Sequence, residues 1–161
     1  MEETGTVRIF IHGLESSNQG TKAVFFREKF PDMITPNFPG DLQQRMDKLE
    51  HMLSSKSEIR IVGSSFGGLM ATIFAIKNTS RVKRMILLAP AINIVQFTSY
   101  RNATVSIPVH IYHGRNDEVI PISEVEPVAK QVFEKLTFNP VDDDHYLHDT
   151  FKTIDWETLL A

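Results

Sequence analysis

The chain of 161 residues contains no cysteine. A disulfide framework, a thiolate zinc site, an iron–sulfur cluster and a cysteine nucleophile are therefore all excluded. The chain also lacks an excess of positive charge, because 17 lysine and arginine residues stand against 20 aspartate and glutamate residues, for a net charge of −3. Without a basic run or a high isoelectric point, nucleic acid is disfavoured as a partner.

Long hydrophobic runs are missing as well. No apolar stretch approaches the roughly 18 residues that a membrane span requires, and the acidic start Met1-Glu2-Glu3-Thr4-Gly5 is unlike a signal peptide. We therefore expect a soluble, cytoplasmic protein without a membrane span. With 42% hydrophobic residues the chain can bury a core, and its length is that of one ordinary domain, so residues 1–161 are predicted to form a single domain.

Short β-branched segments alternate with longer segments of helical period along the whole chain. This alternation predicts βαβ units in a three-layer α/β/α sandwich, with about six mostly parallel strands and helices on both faces of the sheet. The strand candidates are residues 7–12, 33–37, 58–63, 84–89, 109–113 and 135–139. The helix candidates are residues 21–30, 41–53, 66–77, 123–134 and 150–160, and residues 90–108 are predicted to carry a short or irregular helix.

Helix boundaries and buried faces can also be predicted. Asp41 is the expected N-cap of the second helix, and Ser123 with Glu126 is in capping-box register for the fourth. In the last helix we expect Phe151, Ile154 and Leu159 to face inward.

The segment Gly63-Ser64-Ser65-Phe66-Gly67 fits G-x-S-x-G, directly after a strand candidate and directly before a helix candidate. A sharp turn from strand to helix leaves no room for β-carbons at Gly63 and Gly67, and it strains the backbone of the central residue. The pattern predicts Ser65 as a nucleophile that projects from the sheet, whereas Ser64 is predicted to hydrogen bond within the turn. A phosphate loop fits poorly, since neither G-x-G-x-x-G nor a lysine after the glycines is present.

A serine nucleophile needs a base, and the base needs an orienting acid. Asp117 follows the fifth strand candidate, and His145 and His148 follow the sixth, so all three can converge with Ser65 at the carboxyl edge of a parallel sheet. Two alternatives stay open. Asp117 could be an ordinary turn residue with Asx hydrogen bonds, and His148 competes with the favoured His145 as the base.

An oxyanion intermediate needs two backbone N–H donors. Phe66, at the start of a helix, supplies the first, and Leu14, after the tight turn that Gly13 permits, is the candidate for the second. His12 is predicted to be structural, hydrogen bonding beneath this loop, and His113 is interpreted as a surface or core histidine. The acidic run 142–144 is interpreted as a solvated loop, or as a local field that favours imidazolium, rather than as a metal site.

Together these motifs resemble the α/β-hydrolase superfamily. The short chain and the loop His12-Gly13-Leu14-Glu15-Ser16-Ser17 look most like its small YqiA-like serine esterases. The resemblance implies Ser65 as nucleophile, His145 as base, Asp117 as acid, and the N–H groups of Leu14 and Phe66 as the oxyanion hole. It implies cleavage of small carboxylic esters or thioesters through an acyl-enzyme, with no cofactor and no metal. The chain lacks the long insertion that forms a cap domain in larger members, which predicts a minimal, open fold.

Two other functions use the same residues. The scaffold could serve as a slow or non-catalytic binding protein for a ligand or partner, or the triad could serve a serine peptidase or a perhydrolase. The intact Ser, Asp and His set favours an enzyme. Leu14, Phe66, Phe97 and Val119 suggest an apolar pocket, although such residues are more often core, and only residues 90–108 could partly cover the site.

Overall fold

Five parallel strands form the sheet of the computed structural model, which describes residues 7–161, and they lie side by side in chain order. Their bounds are β1 (Val7–Ile11), β2 (Ile59–Ser64), β3 (Val82–Leu88), β4 (Val105–Gly114) and β5 (Phe133–Val141). The carboxyl ends are nearly level, since Ile11 pairs with Gly63, Ser64 with Leu88, Leu88 with Tyr112 and Gly114 with Val141. The loops that follow the strands therefore meet at one edge.

The predicted strand at residues 33–37 is reduced to one parallel bridge between Ile34 and Ile9 on β1. Ile34 exchanges two backbone hydrogen bonds with β1, but Pro36, two residues on, has no N–H with which to continue the ladder. The prediction of about six strands was therefore too high by one, and the other five strand candidates are confirmed.

Helices cover both faces of the sheet, so the predicted three-layer sandwich is confirmed. The α-helices are α1 (Thr21–Lys29), α2 (Leu42–Met52), α3 (Phe66–Lys77), α4 (Ile122–Val132) and α5 (Trp156–Leu159), with 3-10 turns at Thr79–Arg81, Val95–Tyr100 and Phe151–Thr153. One hydrophobic cluster joins α2, α3 and α4 to one face, and a second joins α1, α5 and the C-terminal segment to the other.

The helix boundaries test the capping predictions. Asp41 caps α2 in a full capping box with Gln44, as its position predicts. The box predicted for Ser123 and Glu126 was wrong, because α4 begins one residue earlier, after Pro121, and no side chain caps it. The pre-set φ of Pro121, −60°, supplies the helix entry instead.

The single C-terminal helix predicted over residues 150–160 is divided in two. The 3-10 turn at Phe151–Thr153 ends before Asp155, whose carboxylate caps α5 by accepting from the N–H of Thr158. The indole of Trp156 donates back to the Phe151 carbonyl at 3.0 Å and ties the two pieces together. The inward positions of Phe151, Ile154 and Leu159 are confirmed.

A cleft opens between the ends of β1 and β2, where the order in which strands join the sheet reverses. From β1 the chain first reaches the bridge at Ile34, on the outer side of β1, and then returns to form β2 on the inner side. The chain leaves β1 through α1 on one face and leaves β2 through α3 on the other. Open α/β sheets bind ligands at such a switch point, outside the carboxyl ends of the strands. Within residues 7–161, no helix is long and apolar enough to cross a membrane.

Candidate active site

Ser65 occupies the turn between β2 and α3 with φ 56° and ψ −116°, so the predicted backbone strain is present. A β-carbon at Gly63 would lie 2.5 Å from the Gly67 carbonyl oxygen, and one at Gly67 would overlap the carbonyl of Ile11. The Ser65 N–H donates to Leu88 at 2.9 Å, and the Ser65 carbonyl accepts from the N–H groups of Gly68 and Ala91, each at 2.9 Å. The turn is therefore fixed on both sides.

His145 bridges Ser65 and Asp117. Its Nε2 lies 3.2 Å from Ser65 Oγ, and its Nδ1 lies 2.7 Å from Asp117 Oδ2. A carboxylate only accepts, so the proton of the neutral imidazole belongs on Nδ1, and Nε2 is left to accept the serine hydroxyl proton. The arrangement can deprotonate Ser65 and stabilise the resulting imidazolium.

The two carboxylate oxygens of Asp117 have different partners. Oδ1 accepts from the N–H groups of Val119 at 2.9 Å and Ile120 at 2.7 Å, while Oδ2 faces His145. The Asx hydrogen bonds that the sequence left open as an alternative are thus present alongside the contact to His145. The side chain of Asp117 is fully buried, and that of His145 is 10% exposed.

His113 is a member of the site that sequence reasoning missed. It is completely buried at the end of β4, donates from Nε2 to the Ile120 carbonyl at 2.8 Å, and places the same nitrogen 3.3 Å from Asp117 Oδ2. Burial lowers the pKa of His113, so the ring is neutral near pH 7. A histidine that ends a buried strand, four residues before a candidate acid, is the signal that could have found it.

His148 stands apart from the nucleophile. Its Nδ1 lies 2.6 Å from Asp144 Oδ2, and 70% of its side chain is exposed. The hydrogen bond from His148 holds the pKa of Asp144 below its ordinary value. The structure therefore brings His145, and not His148, to Ser65.

The acidic run 142–144 organises the loop rather than simply facing solvent. Asp143 is buried and accepts from the N–H groups of Asp144, Asp149 and Thr150, so its interpretation as solvated was wrong. Its carbonyl accepts from the N–H of Asn116 at 3.1 Å, which ties the loop of His145 to the loop of Asp117. Among residues 7–161, no group of three or more histidine, aspartate or glutamate side chains is arranged to hold a metal ion.

The predicted oxyanion donors flank Ser65. In the part of the chain that the structure describes, the N–H groups of Leu14 and Phe66 have no acceptor within the protein. A β-carbon built at Gly13 would lie 3.4 Å from Ser65 Cβ, which places the Leu14 loop against the nucleophile. Both amides are therefore available at the site.

His12 and Arg45 hold the Leu14 loop from beneath. His12 is buried, accepts at Nε2 from the Phe38 N–H at 2.9 Å, and donates from Nδ1 to the Gly13 carbonyl at 2.7 Å. Its structural role is confirmed, and burial lowers its pKa. Arg45, which sequence reasoning missed, donates from Nη2 to the Leu14 carbonyl at 3.4 Å.

A cleft of about 690 Å³ contains Ser65 and His145. Its lining includes the apolar side chains of Leu14, Phe66, Ile94 and Val119, so part of the segment 90–108 borders the site. The start of α1 and several residues between Tyr146 and Lys152 also line it. Phe97, for which the sequence left pocket and core open, belongs to the core. It is fully buried against Tyr100 in the core, whereas Leu14 and Val119 remain 49% and 61% exposed at the cleft.

Comparison with known proteins places the chain in context. The model of the uncharacterised protein family UPF0227 matches residues 7–101, a span that includes Ser65, Leu14 and Phe66 but ends before Asp117. No curated protein matches the chain in sequence.

Solved structures of α/β-hydrolases superimpose over nearly the whole chain. The alpha/beta hydrolase domain-containing protein 10 from mouse is 18% identical with a TM-score of 0.77, covering 98% of this chain and 87% of its own. Est1E from Butyrivibrio proteoclasticus is 17% identical with a TM-score of 0.77, covering 99% and 87%. An alpha-beta serine hydrolase homologue from Coxiella burnetii is 20% identical with a TM-score of 0.73, covering 99% and 85%. The fold is therefore that of the α/β-hydrolases, without a cap domain in residues 7–161.

Proposed function

The chain belongs to the uncharacterised protein family UPF0227, and from its α/β-hydrolase fold we propose that it is a serine hydrolase that cleaves small carboxylic esters or thioesters. The observation that carries the proposal is the hydrogen-bond chain from Ser65 Oγ through His145 to Asp117, at a strained turn beside two unpaired backbone N–H groups.

In the first half of the reaction, Ser65 Oγ attacks the ester carbonyl while His145 Nε2 takes the hydroxyl proton. The carbonyl oxygen becomes an oxyanion and accepts from the N–H groups of Leu14 and Phe66, where each lost donor typically costs about 10²- to 10³-fold in turnover. Asp117 holds the imidazole through Nδ1 and stabilises its charged form. His145 then returns the proton to the leaving oxygen, and the acyl group stays on Ser65.

In the second half, water attacks the acyl-enzyme as His145 Nε2 takes one of its protons. Collapse of the second tetrahedral intermediate breaks the bond to Ser65 Oγ, which recovers its proton from His145. The carboxylic acid leaves, and the enzyme returns to its starting state without a cofactor or a metal. The cleft has the size of a small-molecule site, which favours small or exposed esters.

Both hydrophobic clusters pack on the same sheet, which supports the proposal that the chain acts as a single domain. Cytoplasmic location stays a prediction of the sequence.

The test uses a fluorophosphonate probe and short p-nitrophenyl esters on the wild type and the Ser65→Ala variant. The neighbouring Ser64→Ala variant is the matched control, because it removes a hydroxyl one residue away that no proposed step uses. We expect labelling and hydrolysis in the wild type and in Ser64→Ala, with loss of labelling and at least about a thousandfold loss of turnover in Ser65→Ala.

The outcomes separate the candidate functions. Wild-type turnover in a folded Ser65→Ala variant would remove the proposal. An intact fold that never labels would favour a binding protein, because a fluorophosphonate reports an activated serine. A thioester, anilide and peracid panel then separates esterase, peptidase and perhydrolase activities.

A further inference from the structure

Two lysines line the same wall of the cleft, next to the segment that follows His145. Lys22, half-buried on α1, donates from Nζ to the Tyr146 carbonyl at 2.8 Å and lies 5.4 Å from the centre of the Phe151 ring. Lys152, exposed on the 3-10 turn, lies in the same wall. Neither lysine belongs to an ion pair among residues 7–161. Two lysines that form no ion pair among the described residues thus line the cleft.

The start of α1 adds to this positive wall. Gly20, Thr21 and Ala23 line the cleft with Lys22, no side chain caps the helix, and its first turn carries no acid. Within the described chain, the N–H groups of Thr21, Lys22 and Ala23 have no protein acceptor. The uncompensated end of the helix dipole therefore reinforces the potential that the two lysines create.

Acidic side chains also lie near Lys22. Asp143 and Asp144 act to raise the pKa of Lys22, although its burial has the larger effect and lowers that pKa. Asp143 and Asp144 are not cleft-lining residues, and their carboxylates are engaged by backbone N–H groups and by His148. Glu15 also lines the cleft. It is exposed on the Leu14 loop, near enough to Arg45 to raise the pKa of that guanidinium against the larger lowering by burial. Ile94 and Val119, which also line the cleft, are apolar.

The direction of the reaction decides which half of an ester meets the lysines. His145 Nε2 must protonate the leaving oxygen, so the alcohol half departs on the side of His145. Tyr146 is the next residue, and its carbonyl holds Lys22. We propose that the cleft accepts esters whose alcohol half carries an anionic group, a carboxylate or a phosphate, bound by Lys22 and Lys152. The proposal rests on the function assigned above.

The test compares three acetyl esters of one size. Two carry an anion on the alcohol half, 4-acetoxybenzoate and 4-acetoxyphenyl phosphate, and the third, 4-acetoxybenzamide, is neutral. In the wild type we expect kcat/KM to be about tenfold higher for at least one anionic ester, equivalent to about 1.4 kcal/mol. The preference should fall in 0.3 M NaCl, because salt screens exposed charges.

The variants are Lys22→Gln, Lys152→Gln and the double variant, with Lys135→Gln as the control. Lys135 is exposed on β5 outside the cleft, so its replacement changes the net charge equally. We expect the double variant to lose the preference, expressed as the ratio of kcat/KM for the anionic and neutral esters, and Lys135→Gln to keep it. If Lys22→Gln unfolds, the exposed Lys152→Gln must still lower the preference by at least twofold.

Equal kcat/KM values for the anionic and neutral esters would overturn the subsite, and so would a preference that survives the double replacement. A third contrary result is a lysine-dependent preference for mono-4-nitrophenyl succinate, because that ester carries its anion on the acyl half. Dissociation constants of 4-acetoxybenzoate and 4-acetoxybenzamide with the Ser65→Ala variant separate this proposal from the chemistry. Lysine-dependent binding of the anion without wild-type turnover would remove the hydrolase and keep the subsite.

Discussion

His12 donates a hydrogen bond from Nδ1 to the carbonyl oxygen of Gly13 at 2.7 Å. The peptide bonds of the described chain are trans, so the C=O of Gly13 and the N–H of Leu14 point in opposite directions across one plane. The N–H of Ser16 donates to the same carbonyl at 3.2 Å. By holding this carbonyl at the shorter distance, His12 helps to fix the direction in which the Leu14 N–H points. A buried histidine that does not touch the nucleophile is therefore placed to position a donor beside it.

Replacing His12 should lower kcat more than it changes KM. In His12→Phe the Gly13 carbonyl keeps only the Ser16 N–H, at 3.2 Å, as a donor. We expect kcat to fall about 10- to 100-fold on short esters, because a misplaced oxyanion donor costs less than a removed one, which costs about 10²- to 10³-fold. His12→Asn keeps an N–H near the position of Nδ1 and should retain most of the turnover. Both variants leave the Phe38 N–H unpaired, at a shared cost of about 1–3 kcal/mol in folding stability. Equal kcat values in the two variants would contradict the positioning role.

Asp117→Asn should inactivate the site through the wrong tautomer. The oxygen of the asparagine amide must accept from Val119 and Ile120, so its NH₂ group would face His145 Nδ1. The imidazole would then carry its proton on Nε2 and could no longer accept from Ser65. In serine proteases the equivalent change lowers kcat about 10⁴-fold.

We expect a loss of similar size here, measured as kcat on p-nitrophenyl acetate and as the rate of fluorophosphonate labelling. Glu118→Gln is the matched control, because it neutralises the adjacent exposed carboxylate. A loss below tenfold in Asp117→Asn would show that Asp117 acts only as a turn residue.

Replacing either histidine of the C-terminal loop by alanine should have very different effects on turnover. His145→Ala removes the base that contacts Ser65 and should reduce turnover at least about a thousandfold. His148→Ala breaks only the exposed pair with Asp144, and exposed ion pairs contribute about 0–1 kcal/mol, so turnover should stay within threefold. Loss of activity in His148→Ala alone would move the base to His148.

The features that local signals predicted differ in kind from those that were missed. Ser65 and the start of α3 follow from five consecutive residues, and Asp41 caps α2 through a residue three places away. Arg45 instead finds an acceptor at Leu14, 31 residues away, and Lys22 finds one at Tyr146, 124 residues away. The two members of such a pair are too far apart for any local sequence pattern to link them. These contacts can be identified only once the chain is folded.

The same distinction explains one question that the sequence left open and one wrong interpretation. Phe97 and Val119 are both apolar residues in loops after strands, and only the fold puts one in the core and the other at the cleft. Asp143 has acidic neighbours on both sides, a pattern typical of solvated loops, yet backbone N–H groups from a later turn surround it. The acidic composition of residues 142–144 therefore does not show that Asp143 is the buried one.

Asp143 should make folding stability depend on pH. Burial acts to raise the pKa of Asp143, but hydrogen bonds from Thr150, Asp144 and Asp149 outweigh it and hold the pKa below its ordinary value. A carboxyl group whose pKa is lower in the folded state stabilises the fold above its unfolded pKa of about 3.9 and loses that contribution as the pH falls through the folded value.

The Asp143→Asn variant should therefore be less stable than the wild type by about 2 kcal/mol at pH 7, since an amide meets the same N–H donors less well. The difference should shrink as the pH falls below about 4. Urea unfolding at pH 7, 5 and 3 measures it, with Asp142→Asn, an exposed neighbour, as the control. A gap between wild type and Asp143→Asn that is constant over this range would exclude a contribution from the charge.

The strained backbone at Ser65, which projects the nucleophile, should lower the folding stability of the protein. Ser65 holds φ 56° and ψ −116°, and a non-glycine residue in a sparsely populated backbone region costs about 1–3 kcal/mol. Ser65→Gly relieves this strain but adds about 0.4–1 kcal/mol of unfolded-state entropy, whereas Ser65→Ala keeps the β-carbon and the strain. Both variants lack the nucleophile and should be inactive. In urea unfolding we nevertheless expect the free energy of unfolding of Ser65→Gly to exceed that of Ser65→Ala by about 1 kcal/mol. If Ser65→Gly instead proves less stable than Ser65→Ala by the full entropy penalty of about 0.4–1 kcal/mol, the turn stores no strain at Ser65, and the projection of the hydroxyl must come from the glycines on either side alone.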